Sequence, residues 1–203
     1  MPDSDDTPST PAHGHGDVPQ VCEQRGSGTM DVAVISGETF THKAVTYYAV
    51  GGVALFEGDI ALGTVDDVRS RTETIRRAVA LGDRRTLGVG LPGSQFRWPG
   101  CVMPYAVDPD LPDQDRVMSA IEHWSTHTAF RFVPRTPDNA ALYPNWVEFT
   151  DALGCWSYVG MRGGKQPISL GRECDVGSVI HEIGHAVGLW HEQSREDRDL
   201  YVH

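Results

Sequence analysis

The chain has 203 residues and a formal net charge of −11, with 28 acidic side chains against 17 lysines and arginines. This length suits one domain of ordinary size, or a smaller domain with an appendage. An acidic chain repels phosphate backbones, and no apolar run approaches the ~20 residues that span a bilayer, so we predict neither a nucleic-acid partner nor a membrane partner.

Residues 1–28 are rich in proline, serine, aspartate and glycine and contain few large apolar side chains. Such a composition buries too little apolar surface to offset the entropy lost on folding, so we predict a disordered acidic tail. Residues 1–6 lack both the basic start and the apolar stretch of a signal peptide.

Residues 29–88 combine short predicted strands with one helix. Runs rich in β-branched and aromatic residues predict strands over 31–35, 44–50 and 53–56. Apolar residues then recur at three- and four-residue steps from Val65 to Val79, which predicts a helix over 64–80 with Thr64 as its N-cap. After the helix, the basic pair Arg84-Arg85 is either a processing site or part of a plain loop, and residues 86–92 form a linker.

Residues 89–203 alternate strands with two helices. Asp113 begins one predicted helix, and either Asp175 or Ser178 caps the other. Alternating or β-branched runs predict four strands, over 130–135, 146–149, 154–160 and 166–170. Strands mixed in order with two covering helices predict an α+β fold or mixed α/β sandwich.

The second of these helices carries the pattern His-Glu-x-x-His. Residues four apart lie on one helix face, so His181 and His185 present two imidazoles to a single point, and imidazole is a good ligand for Zn²⁺. Gly188 lets the chain turn sharply, which brings His191 back as a third ligand and leaves a fourth position open for water. Glu182 projects beside the pair, where it can take a proton from a zinc-bound water. We predict one catalytic zinc ion per chain; the alternative is a helix that carries surface histidines by chance.

Residues 181–198 resemble the zinc signature of the astacin family of metzincin endopeptidases. Its pattern, His-Glu-x-x-His-x-x-Gly-x-x-His-Glu-x-x-Arg-x-Asp-Arg, is present at every fixed position. Residues 98–105 and 154–160 resemble the same family, and the resemblance covers about residues 53–203. It implies a metzincin-like N-terminal subdomain with a twisted, mainly parallel sheet and two helices, the second carrying the zinc ligands. It also implies that a strand at the cleft edge pairs with an extended protein or peptide substrate.

Residues 56–60, Phe-Glu-Gly-Asp-Ile, are similar to the family's latency motif Phe-x-Gly-Asp. The resemblance implies that residues 29–88 form a small β-rich propeptide in which Asp59 binds zinc in place of the catalytic water. Without it, the same residues form a strand that leaves through a Gly-Asp turn. The resemblance further implies that Glu192 helps to anchor the N-terminus of the mature enzyme, and that residues 89–203 form the N-terminal half of the protease domain.

Four cysteines, at positions 22, 101, 155 and 174, allow three disulfide connectivities. Cys155 and Cys174 flank two short predicted strands, so their pairing is the economical choice, and the resemblance points to the same pair. Cys22 and Cys101 are either free or bonded to each other. A disulfide and the resemblance together predict a secreted or extracellular protein, despite the lack of a recognisable signal peptide.

These predictions together indicate a zinc-dependent endopeptidase made as a zymogen, with Glu182 as general base and Asp59 as the latency ligand. The family pattern continues into a C-terminal half with a methionine-containing turn and a zinc-binding tyrosine, so we expect this chain to be truncated. The alternative function is a non-catalytic, zinc-binding half-domain. The sequence predicts no oligomeric state and no substrate preference.

Overall fold

A computed structural model describes residues 28–36, 42–82 and 94–194 of the chain. The predicted tail apart from Gly28, the Arg84-Arg85 pair and the 86–92 linker lie outside these described residues, as does the predicted domain boundary between 88 and 89. We refer to 28–82 as the N-terminal region and to 94–194 as the C-terminal region.

The described residues form one mixed nine-stranded sheet and three α-helices, which confirms the predicted α+β class. The strands are β1 (Met30–Ile35), β2 (Lys43–Val50), β3 (Val53–Phe56), β4 (Ile60–Thr64), β5 (Val102–Val107), β6 (Arg131–Pro134), β7 (Trp146–Thr150), β8 (Cys155–Tyr158) and β9 (Lys165–Leu170). The helices are α1 (Val65–Ala80), α2 (Asp115–His127) and α3 (Val176–Val187). The strand order is β1-β2-β3-β4-β8-β9-β7-β5-β6. None of the helices in the described part of the chain is long and apolar enough to cross a lipid bilayer.

The N-terminal region is an antiparallel meander of β1 to β4 followed by α1. The side chain of Thr64 accepts a hydrogen bond from the backbone N–H of Asp67, which confirms the predicted N-cap. Val68 and Ile75 of α1 are buried against the sheet, whereas Val79, predicted on the same face, is exposed. Strand β4 was not predicted, because its five residues lie between a turn and a helix and include a glycine.

Strand β4 joins the two regions into one sheet. It pairs with β8 in parallel, with Ile60 opposite Ser157 and Ala61 opposite Tyr158. The backbone N–H of Ser157 also donates to the carbonyl of Asp59, at 3.0 Å. Val159, which follows β8, belongs to the buried cluster of the N-terminal region. The outer edge of β8 is therefore covered by the N-terminal region.

In the C-terminal region the sheet is mainly parallel, as predicted: β6, β5, β7 and β9 run in one direction and β8 runs against β9. Helices α2 and α3 pack on each other. Their buried side chains share one core with the sheet, formed by residues that include Met103, Val117, Ile121, Val147, Phe149, Ile168, Val179 and Ile183. Helix α2 begins at Asp115 and not at the predicted Asp113, because Asp113 adopts a left-handed backbone conformation with φ 52°.

Two features attach the beginning of α3 to the rest of the C-terminal region. A disulfide joins Cys155, the first residue of β8, to Cys174, which confirms the predicted pairing. The buried guanidinium of Arg116 donates to the backbone carbonyls of Gly171 and Cys174. Cys101 has no disulfide partner among the described residues, and Cys22 lies outside them.

Candidate metal centre

Helix α3 places the first two predicted ligands. Asp175 is its N-cap, and its side chain accepts a hydrogen bond from the backbone N–H of Ser178 at 2.8 Å. Of the two predicted caps, the structure therefore selects Asp175. The apolar side of the helix is buried in the core, and this orientation turns His181 and His185 together toward β4 and β8.

The end of α3 places the third predicted ligand. Gly188 has φ 120°, in the range that favours glycine, and the backbone N–H of Leu189 donates to the carbonyl of Gly184 at 3.0 Å. This closing bond reverses the chain and returns His191 to the face that carries His181. The indole N–H of Trp98 donates to the carbonyl of Ala186 at 2.7 Å, which fixes the last turn of the helix.

Asp59 meets the three histidines at one point. The Nε2 atoms of His181 and His191 lie 3.2 Å apart, and the Oδ2 atom of Asp59 lies 3.1 Å from the first and 3.2 Å from the second. The Nε2 atom of His185 lies 3.7 Å from Asp59 Oδ1. One ligand atom from each of the four side chains lies within 4.8 Å of the others. The structure thus brings together the three predicted ligands and the predicted latency residue, across 122 residues of sequence.

The spacing of these atoms fits a tetrahedral zinc ion. Bonds of ~2.0–2.1 Å separate the ligand atoms of a tetrahedral site by about 3.3–3.4 Å. Asp59 Oδ2 and the Nε2 atoms of His181 and His191 lie 3.1–3.2 Å apart, and the ligand atoms of all four side chains lie within 4.8 Å of one another. His185 Nε2 and Asp59 Oδ1 are buried and have no hydrogen-bond partner. Buried polar atoms without partners are costly, and a shared cation would satisfy both. The donor set therefore fits zinc.

Asp59 and His191 stabilise each other's charged forms. Burial by itself would raise the pKa of Asp59, but the hydrogen bonds with His181 and His191, together with the nearby imidazole of His185, outweigh it and hold that pKa well below its usual range. Burial likewise opposes the charged form of His191, but hydrogen bonds to Asp59 and Glu57 raise the pKa of His191 to about 10. The cluster therefore favours an ionised carboxylate facing positive charge at its centre.

Glu182 lies beside the cluster without belonging to it. Its side chain is buried, with 2% of the residue exposed, and its Oε2 atom has no hydrogen-bond partner. Burial, and next the negative charge of Asp59, raise the pKa of Glu182 well above its usual range, while the charge of His191 opposes the shift. A buried carboxyl group with a free oxygen next to a ligand is chemically suited to exchange protons.

In His185 and His191 the second ring nitrogen, Nδ1, which points away from the centre of the cluster, also has a hydrogen-bond partner. Nδ1 of His185 lies 2.8 Å from the carbonyl of Leu189, and Nδ1 of His191 lies 2.8 Å from Glu57 Oε2. In a neutral imidazole, an acceptor at Nδ1 holds the proton there, so the Nε2 lone pair faces the centre; in His191 a metal ion would first have to displace the proton that Nε2 shares with Asp59. Sequence reasoning missed Glu57, which occupies the variable position of the predicted latency motif. The available signal was that histidine ligands commonly have a carboxylate partner.

Glu192 is exposed in a short 3-10 helix, Glu192–Ser194. Its predicted partner is the N-terminus of a processed enzyme, so this role stays a prediction.

Comparison with known proteins gives consistent matches. The sequence model of one family, described as Astacin (Peptidase family M12A), matches residues 92–203. Blastula protease 10 of Paracentrotus lividus is 39% identical over 152 residues, which cover 72% of this chain and 25% of that protein. The bone morphogenetic protein 1 homolog of Strongylocentrotus purpuratus is 43% identical over 111 residues, covering 52% of this chain and 17% of that protein.

The chain therefore spans a quarter or less of these curated relatives. Among solved structures, the chain is similar to high choriolytic enzyme 1, a hatching enzyme zinc-protease from Oryzias latipes. The identity is 29% and the TM-score 0.47, with 55% of this chain and 57% of that chain covered.

Proposed function

The chain belongs to the astacin family, peptidase family M12A, and from that premise we propose that it is a zinc-dependent endopeptidase held inactive by its own N-terminal region. The observation that carries the proposal is the meeting of three imidazoles and one carboxylate, whose ligand atoms all lie within 4.8 Å of one another. The imidazoles come from the C-terminal region and the carboxylate from the N-terminal region.

His181, His185 and His191 would hold one zinc ion per chain. Zinc bound in this way supplies Lewis acidity, which activates water and polarises a carbonyl group. The matched acceptors at Nδ1 of His185 and His191 would leave Nε2 of each ring as the nitrogen that binds the ion.

Glu182 is the proposed general base. It follows the first ligand directly, its carboxyl group is buried, and one of its oxygens is unpaired. From this position it takes a proton from the attacking water and delivers it to the amine that leaves the cleaved peptide bond. The surrounding burial excludes bulk water that would compete for the same proton.

The proposed substrate is a protein or peptide that adds to the sheet as an extended strand. The edge of β8 is the surface for it, because β8 passes next to α3 and its outer edge pairs with only two residues of β4. Addition of a strand uses backbone hydrogen bonds and accepts many sequences. In the described structure β4 pairs with this edge and Asp59, the residue before β4, contacts the three histidines. One continuous segment therefore covers both the proposed substrate strand position and the metal centre.

Latency is then the proposed role of Asp59. Its carboxylate would take the coordination position that three histidines leave open, and so exclude the catalytic water. The disulfide between Cys155 and Cys174 supports a further proposal, export from the cell, because disulfides persist in oxidising compartments.

The proposal is tested by hydrolysis of an unstructured protein substrate after limited cleavage of the chain between α1 and β5. We expect activity that a zinc chelator abolishes and that zinc restores, and no activity from Glu182→Gln carrying the same zinc. Zinc binding without hydrolysis in the cleaved parent would instead support a non-catalytic zinc-binding protein. Hydrolysis retained by Glu182→Gln would remove Glu182 from the mechanism.

A further inference from the structure

His191 is held from both sides by one turn of the N-terminal region. Asp59 Oδ2 lies 3.2 Å from its Nε2 atom, and Glu57 Oε2 lies 2.8 Å from its Nδ1 atom. The side chain of His191 is 7% exposed and that of Glu57 is 25% exposed, so the outer contact is largely shielded from water. Only Gly58 separates the two carboxylates in sequence.

Among the three histidines, His191 has the greatest need of such a partner. His181 and His185 project from a helix whose backbone sets their direction, whereas His191 follows the Gly188 reversal and lies outside α3. The Nδ1 atom of His185 faces a carbonyl four residues along its own segment. The Nδ1 atom of His191 instead faces a carboxylate from the other region of the chain.

The backbone of the turn is arranged to deliver both carboxylates. Glu57 has φ 55° and Gly58 has φ 99°, so two successive residues lie in the left-handed region. A glutamate in the left-handed region is uncommon, and it is retained where several surrounding contacts fix its conformation. Next to the turn, the ring of Phe56 packs edge-on against Trp190, with centroids 6.4 Å apart, which anchors the residue before His191.

We propose that Glu57 is a positioning residue of the closed centre, which orients His191 toward the metal through its outer nitrogen while Asp59 occupies the inner side. The proposal rests on the proposed function, since it assigns Glu57 a part in the same latent zinc site. The N–H at Nδ1 donates to the Glu57 carboxylate, which fixes the tautomer and increases the donor strength of Nε2. Removal of the N-terminal region takes away both contacts together.

The test is the zinc affinity of the full chain, measured by competition with a chromogenic chelator. Loss of an outer partner of a ligand typically weakens metal binding ~10–100-fold. We expect a loss in this range for Glu57→Gly and a smaller loss for Glu57→Gln, whose amide oxygen can still accept the bond. The matched control is Glu73→Gln on α1, which removes an exposed carboxylate bonded to Arg77 at 2.8 Å and leaves zinc affinity unchanged.

Glu57→Gly separates positioning from folding. Glycine adopts the left-handed conformation readily, so this variant keeps the turn and the fold of the metal-free chain. A second readout is the ¹⁵N spectrum of the imidazoles, in which the zinc-loaded parent shows a slowly exchanging Nδ1 proton on His191 and Glu57→Gly does not.

A parent that binds one zinc per chain, with Glu57→Gly equally tight and equally protected at His191, would overturn the role of Glu57 and leave the proposed function standing. A parent that binds no zinc would overturn both.

Discussion

Replacement of Asp59 tests whether the N-terminal region silences the enzyme through the metal centre. Asp59 is 7% exposed and its Oδ2 atom lies within hydrogen-bond distance of two imidazoles, at 3.1 and 3.2 Å. In the zinc-loaded chain the same oxygen would face the ion, and a contact between charged groups contributes ~1.5–3 kcal/mol, so its loss weakens the closed form by about 3 kcal/mol. Each ~1.4 kcal/mol is tenfold, and the open fraction should therefore rise about 100-fold.

The assay is hydrolysis of a quenched fluorescent peptide by the uncleaved full chain, whose integrity is followed on a gel. We expect Asp59→Ala to be active without processing, because the pairing of β4 with β8 that remains involves only two residue pairs. Asp66→Asn, an exposed change at the beginning of α1, should be as silent as the parent. An Asp59→Ala chain that keeps its zinc, folds normally and is still as inactive as the parent would show that Asp59 is not the latency ligand.

Two further predictions concern the beginning of α3. Removal of the disulfide in Cys155→Ala/Cys174→Ala should lower the free energy of unfolding by ~3 kcal/mol, since the bond closes a loop of about 20 residues. Urea denaturation should detect this change, and Cys101→Ala should show much less of it. Asp175→Ala should cost ~1 kcal/mol through loss of the N-cap. The hydrogen bond from the Ser178 backbone holds the pKa of Asp175 below its usual value, so this stabilisation is present above about pH 4 and is lost as the pH falls through the lowered pKa. A difference between parent and Asp175→Ala that persists unchanged at the lowest pH would contradict the assignment.

The local features of the candidate site could be predicted from sequence. Helix α3 has an apolar stripe, a capping aspartate and a terminal glycine, so its span and the common face of His181 and His185 follow from helical geometry. The Thr64 cap of α1 and the pairing of Cys155 with Cys174 also rest on short-range patterns. In each case the interacting residues lie close in sequence, or flank elements that a pattern identifies.

The missed features depend on contacts between distant segments. Strand β4 has too few residues and too weak an alternation to be recognised alone, and it is defined by its partners β3 and β8. The contact between Glu57 and His191 spans 134 residues, and no local sequence pattern predicts whether Glu57 or Asp59 contacts the outer nitrogen of that histidine. The start of α2 was misplaced because the left-handed conformation of Asp113 is a property of the turn and not of the residue type.

The zinc content of the purified full chain shows whether the three histidines and Asp59 form a metal site. After dialysis against buffer with limiting zinc, the parent should retain one zinc ion per chain, and His185→Ala should retain almost none, because His185 is the most buried of the three histidines. His123→Ala, which removes an exposed histidine on α2, should retain as much zinc as the parent. Equal zinc content in the parent and His185→Ala, or none in the parent, would contradict the assignment of this cluster as a zinc site.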